Sequence, residues 1–242
     1  MNRQWGSGSY TTPLQFPGYF QGPTLEIIEI ILYDSNMPGR NVIKHYASES
    51  YYHVYNRGID KSPIFLDKQD YSVFINLFKR YLSSEPVIDN KGREYPWLKP
   101  RIQLLAFCLM PNHFHMLVLQ EDEKAITDLI RYITTSFSMY FNKKYRRRGP
   151  VFENRFRAVH IDSQQYLDHI SRYIHLNPGR TRYKSWEWSS ISYYEGKKEA
   201  VWLNTMDILD MFDSKEQYLK FVNDYKELHD ELEIIQHELA DH

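Results

Sequence analysis

The sequence predicts an α+β fold, a ferredoxin-like split βαβ arrangement in which an antiparallel sheet carries helices on one face, followed by a C-terminal helical extension. Three observations predict it. Segments of β-formers and of helical periodicity follow one another as strand, helix, strand, strand, helix, strand. Two dense apolar runs, Ile102 to Leu109 and His113 to Leu119, are separated only by Met110-Pro111-Asn112, as two antiparallel strands joined by a tight turn would be. A chain of 242 residues with 42% hydrophobic content can also bury a real core.

The elements follow in order. Tyr51-Tyr52-His53-Val54-Tyr55-Asn56 is rich in β-formers and stops at Arg57-Gly58, which makes it a first strand. Asp67 can cap a helix running to about Leu82, with Tyr71, Phe74, Ile75, Phe78 and Leu82 on one face. Glu85 to Pro100, broken by prolines and Asn90-Lys91-Gly92, is loop leading into the strand pair. Ala125 to about Lys144 repeats the helical spacing and ends at Arg146-Arg147-Arg148-Gly149-Pro150. A fourth strand falls within Phe156 to Ile161. Ser163 then caps a third helix that must end near Asn177-Pro178, because the residue before proline disfavours helix.

Three domains are expected: a leader over residues 1–44, loosely ordered and with Met37 as a candidate working start; a catalytic-type domain over 45–195; and an acidic helical extension over 196–242. That extension should hold Thr205 to Phe212 and a charged, peripheral helix from Ser214 to about Leu239.

The net charge of −1 argues against a nucleic-acid binder held by bulk positive charge, but it conceals a segregation. Lys124 to Lys184 holds 13 basic residues against four acidic, an excess of +9, whereas Ser185 to His242 holds five lysines against 14 acids, −9. The middle is a candidate polyanion surface and the end an acidic appendage. As the lone cysteine, Cys108 excludes an internal disulfide framework and a multi-cysteine zinc site, and a reducing cytoplasm is the simplest home. The apolar stretch Ile27 to Leu32 is interrupted by Glu29, and the N-terminus lacks the layout of a secretion signal, so no membrane partner is expected.

Chemistry concentrates in two places. His113-Phe114-His115 alternates on a strand, so both imidazoles project from one face; such a pair either binds a metal or merely faces solvent or hydrogen-bonds locally. Tyr173 and Asn177 are four apart on one helical face. Two histidines and an amide oxygen leave positions open to water and phosphate oxygens, as a catalytic Mg²⁺ or Mn²⁺ requires. Tyr173 supplies a phenol able to attack phosphorus, with Tyr166 as backup. His169 either assists proton transfer and orientation or is an interfacial helix histidine, and His175, nearly opposite Tyr173, reads as structural.

Tyr52-His53-Val54-Tyr55-Asn56-Arg57-Gly58, then Met110-Pro111-Asn112-His113-Phe114-His115, then Arg172-Tyr173-Ile174-His175-Leu176-Asn177-Pro178 in that order resemble the single-tyrosine transposases with a His-hydrophobic-His (HUH) motif, and in particular the REP-associated, transposase 17-like branch. The resemblance covers about residues 45 to 195. It implies that His113 and His115 bind a divalent cation, that Asn177 completes the site, and that Tyr173 is the nucleophile. It also implies a substrate of single-stranded DNA with hairpins (REP-like palindromes), cut and rejoined without ATP by a monomer or homodimer.

Lys143, Lys144, Arg146, Arg147, Arg148, Arg155 and Arg157 fit phosphate-backbone contact, with Tyr145, Phe152 and Phe156 available for base stacking; the alternative is a solvated helix end. Arg57 is either a phosphate ligand or a turn residue. The rivals to a strand transferase are a non-catalytic hairpin-DNA binding protein and a hydrolytic metal phosphodiesterase. Deleting residues after about Ser190 is expected to increase nonspecific, salt-sensitive binding if the acidic tail shields the basic surface.

Overall fold

A computed structural model describes residues 46–153, 155–179 and 182–224. By its contacts the chain divides into two units, Lys44–Val222 and Met1–Ile43 with Asn223–His242, and the account below concerns the first. The expected leader lies outside the described residues, as does the stretch from 225 to the end.

The strands are β1 (Ser50–Arg57), β2 (Ile102–Met110), β3 (His113–Gln120) and β4 (Arg157–Ile161), and the longer helices are α1 (Lys68–Leu82), α2 (Ala125–Lys144) and α3 (Gln164–Leu176). The sheet runs β2-β3-β1-β4 and every pairing is antiparallel. This is the split βαβ order read from the sequence. Asp67 caps α1 through a reciprocal capping box with Asp70, and Ser163 caps α3 by accepting from the Tyr166 amide.

Strand alternation divides the sheet into two faces. Tyr52, Val54, Leu104, Phe107, Leu109, Phe114, Met116 and Val118 pack with Phe74, Phe78, Ile133, Phe137 and Phe141 of α1 and α2 in the main core. On the opposite face, the rings of His53 and His115 meet Tyr173 of α3. A bulge between Leu104 and Ala106 shifts the phase of β2, which lets Leu104, Phe107 and Leu109 all reach the core. Behind β1, Gly58 passes so close to the next loop that a Cβ would meet the Ser62 carbonyl oxygen at 2.0 Å, so only glycine fits there.

The region expected to be a peripheral acidic extension contributes to this unit. Residues 186–204 cover the outer edge of β2: Leu109 N donates to Trp188 O at 2.9 Å, Ser190 N to Phe107 O at 2.9 Å and Asn204 N to Leu104 O at 2.8 Å. Trp202 packs on Phe78 and Phe107. Short helices α4 (Ile191–Tyr194) and α5 (Met206–Leu209) and the longer α6 (Lys215–Asn223) follow, and Ile191, Tyr194, Ile208, Tyr218 and Val222 are buried. Helix α6 is thus seated by its apolar face rather than carried as a charged appendage.

His175 forms one of the links between α3 and α6. Its Nδ1 lies 2.7 Å from the Tyr218 hydroxyl and its Nε2 2.8 Å from Ser190 Oγ. Burial lowers its pKa to about 3. The unfolded chain protonates this histidine below about 6.5 while the folded chain cannot, so its contribution to stability is lost as the pH falls. His175 alone is expected to lower stability by about 2 kcal/mol between pH 7 and pH 5. Asp168, raised to about 7 by burial and partly offset by Arg172, opposes this trend, but His53, His113, His115 and His169 are all lowered and reinforce it. Urea denaturation at the two pH values checks it; an unchanged midpoint would contradict the assignment.

Candidate active site

His113 and His115 project from the α3 face of the sheet with ring centroids 5.0 Å apart. Their outer nitrogens are both engaged. Asn112 Nδ2 donates to the Lys61 carbonyl at 3.2 Å, which leaves its Oδ1 to accept from His113 Nδ1 at 2.7 Å. His115 Nδ1 lies 2.8 Å from His53 Nε2. The nitrogen that remains on each ring is Nε2.

Helix α3 delivers the other two groups. Tyr173 stands edge-on to the His115 ring at 5.5 Å and to the His53 ring at 5.8 Å. One turn later Asn177 is the C-cap, at the point where Pro178 stops the helix, and its Oδ1 lies 3.3 Å from His113 Nε2. The four residues singled out in sequence therefore converge, and they do so within one chain.

Burial sets the electrostatics. It lowers the pKa of His53 to about 3 and of His113 to about 4, the latter partly offset because a protonated ring could donate to Asn177 Oδ1, and reinforced by Arg57. His115 falls well below the ordinary value through burial and its two histidine neighbours. All three stay neutral at pH 7, as metal-ligating imidazoles must. The Tyr173 phenol is pushed well above its usual range by burial, with Tyr55 and Cys108 adding to the effect and Asn177 opposing it.

The donor set fits a hard divalent cation. With its proton on Nδ1, His113 turns a bare Nε2 lone pair toward the Asn177 oxygen, so two acceptors face each other. Neighbouring ligands on a six-coordinate Mg²⁺ or Mn²⁺ with bonds of about 2.1 Å stand about 3 Å apart, close to the 3.3 Å found. Among the described residues no group of three or more His, Cys, Asp or Glu side chains is placed to hold a metal. The set is therefore two imidazoles and an amide oxygen.

Other expected site residues divide. Arg57 pairs with His113 across β1 and β3, and its Nε donates to Glu153 Oε1 at 2.7 Å, which places a guanidinium beside the candidate metal site. The segment carrying Glu153 extends β1: Ile59 N donates to Val151 O at 3.1 Å and Glu153 N to Arg57 O at 2.9 Å. That anchoring brings the basic turn to the same end of the sheet. Lys143, Arg146, Arg147, Arg148 and Arg155 are exposed and Arg157 half-buried.

Lys144 differs: its ammonium bonds both Asp67 oxygens and Asp70 Oδ1 at 2.7–2.8 Å, joining α2 to the start of α1, so it serves the fold. Phe152 is buried against Phe114 and Phe137, and the Tyr145 hydroxyl donates to Asp70, so neither is placed for base stacking as expected; Phe156 stacks on Tyr46. His169 bonds Arg172 at 2.6 Å and packs on Phe221, an engagement toward α6 that fits the interfacial reading better than proton transfer.

His53, Asn112 and Glu153 were not singled out for the site. The two-residue alternation of His53 and Tyr55 was a visible signal, but it points to the site only when β1 is known to lie beside β3.

No curated protein matches the chain. Residues 97–177 match the family model for IS200-like transposases. A REP-associated tyrosine transposase bound to a REP hairpin superposes with a TM-score of 0.51 at 13% identity, covering 67% of this chain and 90% of that one. A Deinococcus radiodurans R1 chain whose assignment as a transposase is itself an inference gives 0.34 at 13% identity over 57% and 95%. The tRNA(His) guanylyltransferase of Saccharomyces cerevisiae gives 0.36 at 10% identity over 76% and 82%, and neither of these two looser likenesses bears on function. The stretch similar to the IS200-like transposases contains His113, His115, Tyr173 and Asn177, and the fold of the whole unit is similar to that of the REP-associated tyrosine transposase.

Proposed function

We propose that the protein is a divalent-metal-dependent single-stranded DNA endonuclease and strand transferase, acting on hairpin-containing DNA through a 5′-phosphotyrosine on Tyr173. One observation carries this reading. A buried tyrosine, two neutral imidazoles and an amide oxygen from two segments far apart in sequence, β3 and α3, meet within one chain, with the Tyr173 ring 5.5 Å from that of His115 and His113 Nε2 3.3 Å from Asn177 Oδ1. The hairpin named with the solved relative supports REP-like palindromic DNA as the partner.

His113, His115 and Asn177 would hold Mg²⁺ or Mn²⁺, which supplies positive charge to the scissile phosphate. The Tyr173 oxygen attacks phosphorus in line. An O–P bond forms as the bond to the 3′ oxygen breaks; the phenol proton departs, and the 3′ oxygen takes up a proton to leave as a hydroxyl. A second 3′ hydroxyl reverses the step on another strand, so no nucleotide cofactor is needed. Arg57 adds positive charge beside His113, and the exposed arginines from Arg146 to Arg148 and Arg155 hold the backbone. All four side chains of the site come from one chain, which supports a monomer over a homodimer as the acting unit.

The test is incubation with end-labelled single-stranded hairpin DNA and Mn²⁺ or Mg²⁺. A denaturation-resistant protein–DNA adduct is expected. Tight hairpin binding with no cleavage would sink the reading and leave a non-catalytic binding protein. His113→Ala or His115→Ala is expected to lower cleavage by about a hundredfold or more, the several kcal/mol a metal contributes, while much of the DNA affinity remains. Unfolding of both variants in parallel with lost cleavage would mark the pair as structural instead.

A further inference from the structure

We propose that His53 is the positioning residue that holds His115 in its metal-ligating tautomer and ties that ring to Tyr173. The proposal rests on the metal-site reading above and deepens it. His53 lies outside the stretch matched by the family model, on β1, and the antiparallel register sets Tyr55 opposite His115 and His53 opposite Leu117. His53 is thus the diagonal neighbour of His115 on the same face, within reach of a long side chain.

Three contacts define its place. His53 Nε2 lies 2.8 Å from His115 Nδ1. The two rings lie side by side, their centroids 5.0 Å apart and their planes 20° from parallel, as an in-plane bond between ring nitrogens requires, and each meets the Tyr173 ring at nearly a right angle, at 5.8 Å and 5.5 Å. Each histidine is only 5% exposed, so water does not compete for the shared bond.

One proton lies between the two nitrogens. If His115 Nδ1 carries it, His53 accepts and His115 Nε2 is a bare lone pair able to bind a cation. If His53 Nε2 carries it, His115 must hold its own proton on Nε2 and cannot. The arrangement that binds metal therefore requires His53 to be protonated on Nδ1 and to accept through Nε2. This is the outer-shell function more often given to a carboxylate or carbonyl. A neutral acceptor performs it without adding negative charge to a site that must admit a phosphate. His113 has a different anchor, the Asn112 amide oxygen, which can only accept.

The experiment uses the full chain, metal-free, with Mn²⁺ titrated and followed by electron paramagnetic resonance, and with ring ¹⁵N shifts recorded before metal is added. His53→Phe keeps the ring and removes the acceptor; His53→Gln retains an acceptor oxygen. His53→Phe is expected to weaken Mn²⁺ binding about 10- to 100-fold, His53→Gln to recover most of it, and metal-free wild type to show His115 protonated at Nδ1. Equal Mn²⁺ affinity of His53→Phe and wild type overturns the proposal alone. Should His53→Phe not fold, the wild-type nitrogen spectrum decides, since His115 protonated at Nε2 overturns it as well. Wild type that binds no Mn²⁺, or whose binding is untouched by His113→Ala, overturns the metal-site reading and this proposal with it.

Discussion

Tyr173→Phe is expected to eliminate the covalent protein–DNA adduct and to lower strand cleavage by on the order of a thousandfold or more, because it removes the oxygen proposed to attack phosphorus. The substitution is clean in structural terms. The contacts of Tyr173 with His53 and His115 are made by its ring, which phenylalanine preserves. What is lost is the hydroxyl and its interaction with Asn177, about 1 kcal/mol of stability. Folding and Mn²⁺ affinity should therefore persist while the adduct disappears. Tyr166→Phe is the control: Tyr166 is buried in the first turn of α3, and its loss should leave the adduct intact. An adduct surviving in Tyr173→Phe and absent in Tyr166→Phe would transfer the role to Tyr166, and cleavage without any adduct in the wild type would point to water.

Deleting residues 191–242 is expected to unfold the domain, not to strengthen DNA binding. The deletion removes Ile191, Tyr194, Trp202, Ile208, Tyr218 and Val222, all buried, and takes with it the part of the β2 edge cover that bonds Asn204 N to Leu104 O. At about 2–5 kcal/mol for each large apolar side chain, the loss exceeds about 10 kcal/mol, comparable with the entire stability of a domain, about 5–15 kcal/mol. It also leaves His175 without Tyr218, directly behind the helix that carries Tyr173. Circular dichroism and gel filtration check the outcome; a folded, monomeric 1–190 chain would refute it. The shielding idea belongs to a shorter deletion. Residues 225–242 hold six acids and one lysine, and their removal leaves every described element in place. Stronger nonspecific binding that falls steeply with salt would then support shielding, and unchanged binding would exclude it.

The core of the site was legible because its logic is local. His113 and His115 share a face through the two-residue period of a strand, and Tyr173 and Asn177 through the turn of a helix. Pro178 after Asn177 marked where that helix stops. Residues whose roles depend on distant partners were harder to read. Lys144 sits among basic residues at a helix end, and nothing nearby shows that Asp67 and Asp70, more than 70 residues earlier, hold its ammonium. The acidic tail misled for a related reason. Its mean charge conceals Trp202, Ile208, Tyr218 and Val222, spaced so that each reaches a buried position only after the sheet has formed.

By itself, then, the sequence determined the strand and helix order, the paired imidazoles, the tyrosine and its asparagine, and the concentration of positive charge between Lys124 and Lys184. These follow from backbone periodicity, caps and composition, which act over a few residues. Only the tertiary structure decided that His53 meets His115, that Glu153 holds Arg57 beside His113, that Lys144 is committed to two aspartates, and that residues up to Val222 belong to the folded unit. Each depends on strand register or on long-range burial, and neither is encoded in the spacing of neighbouring residues.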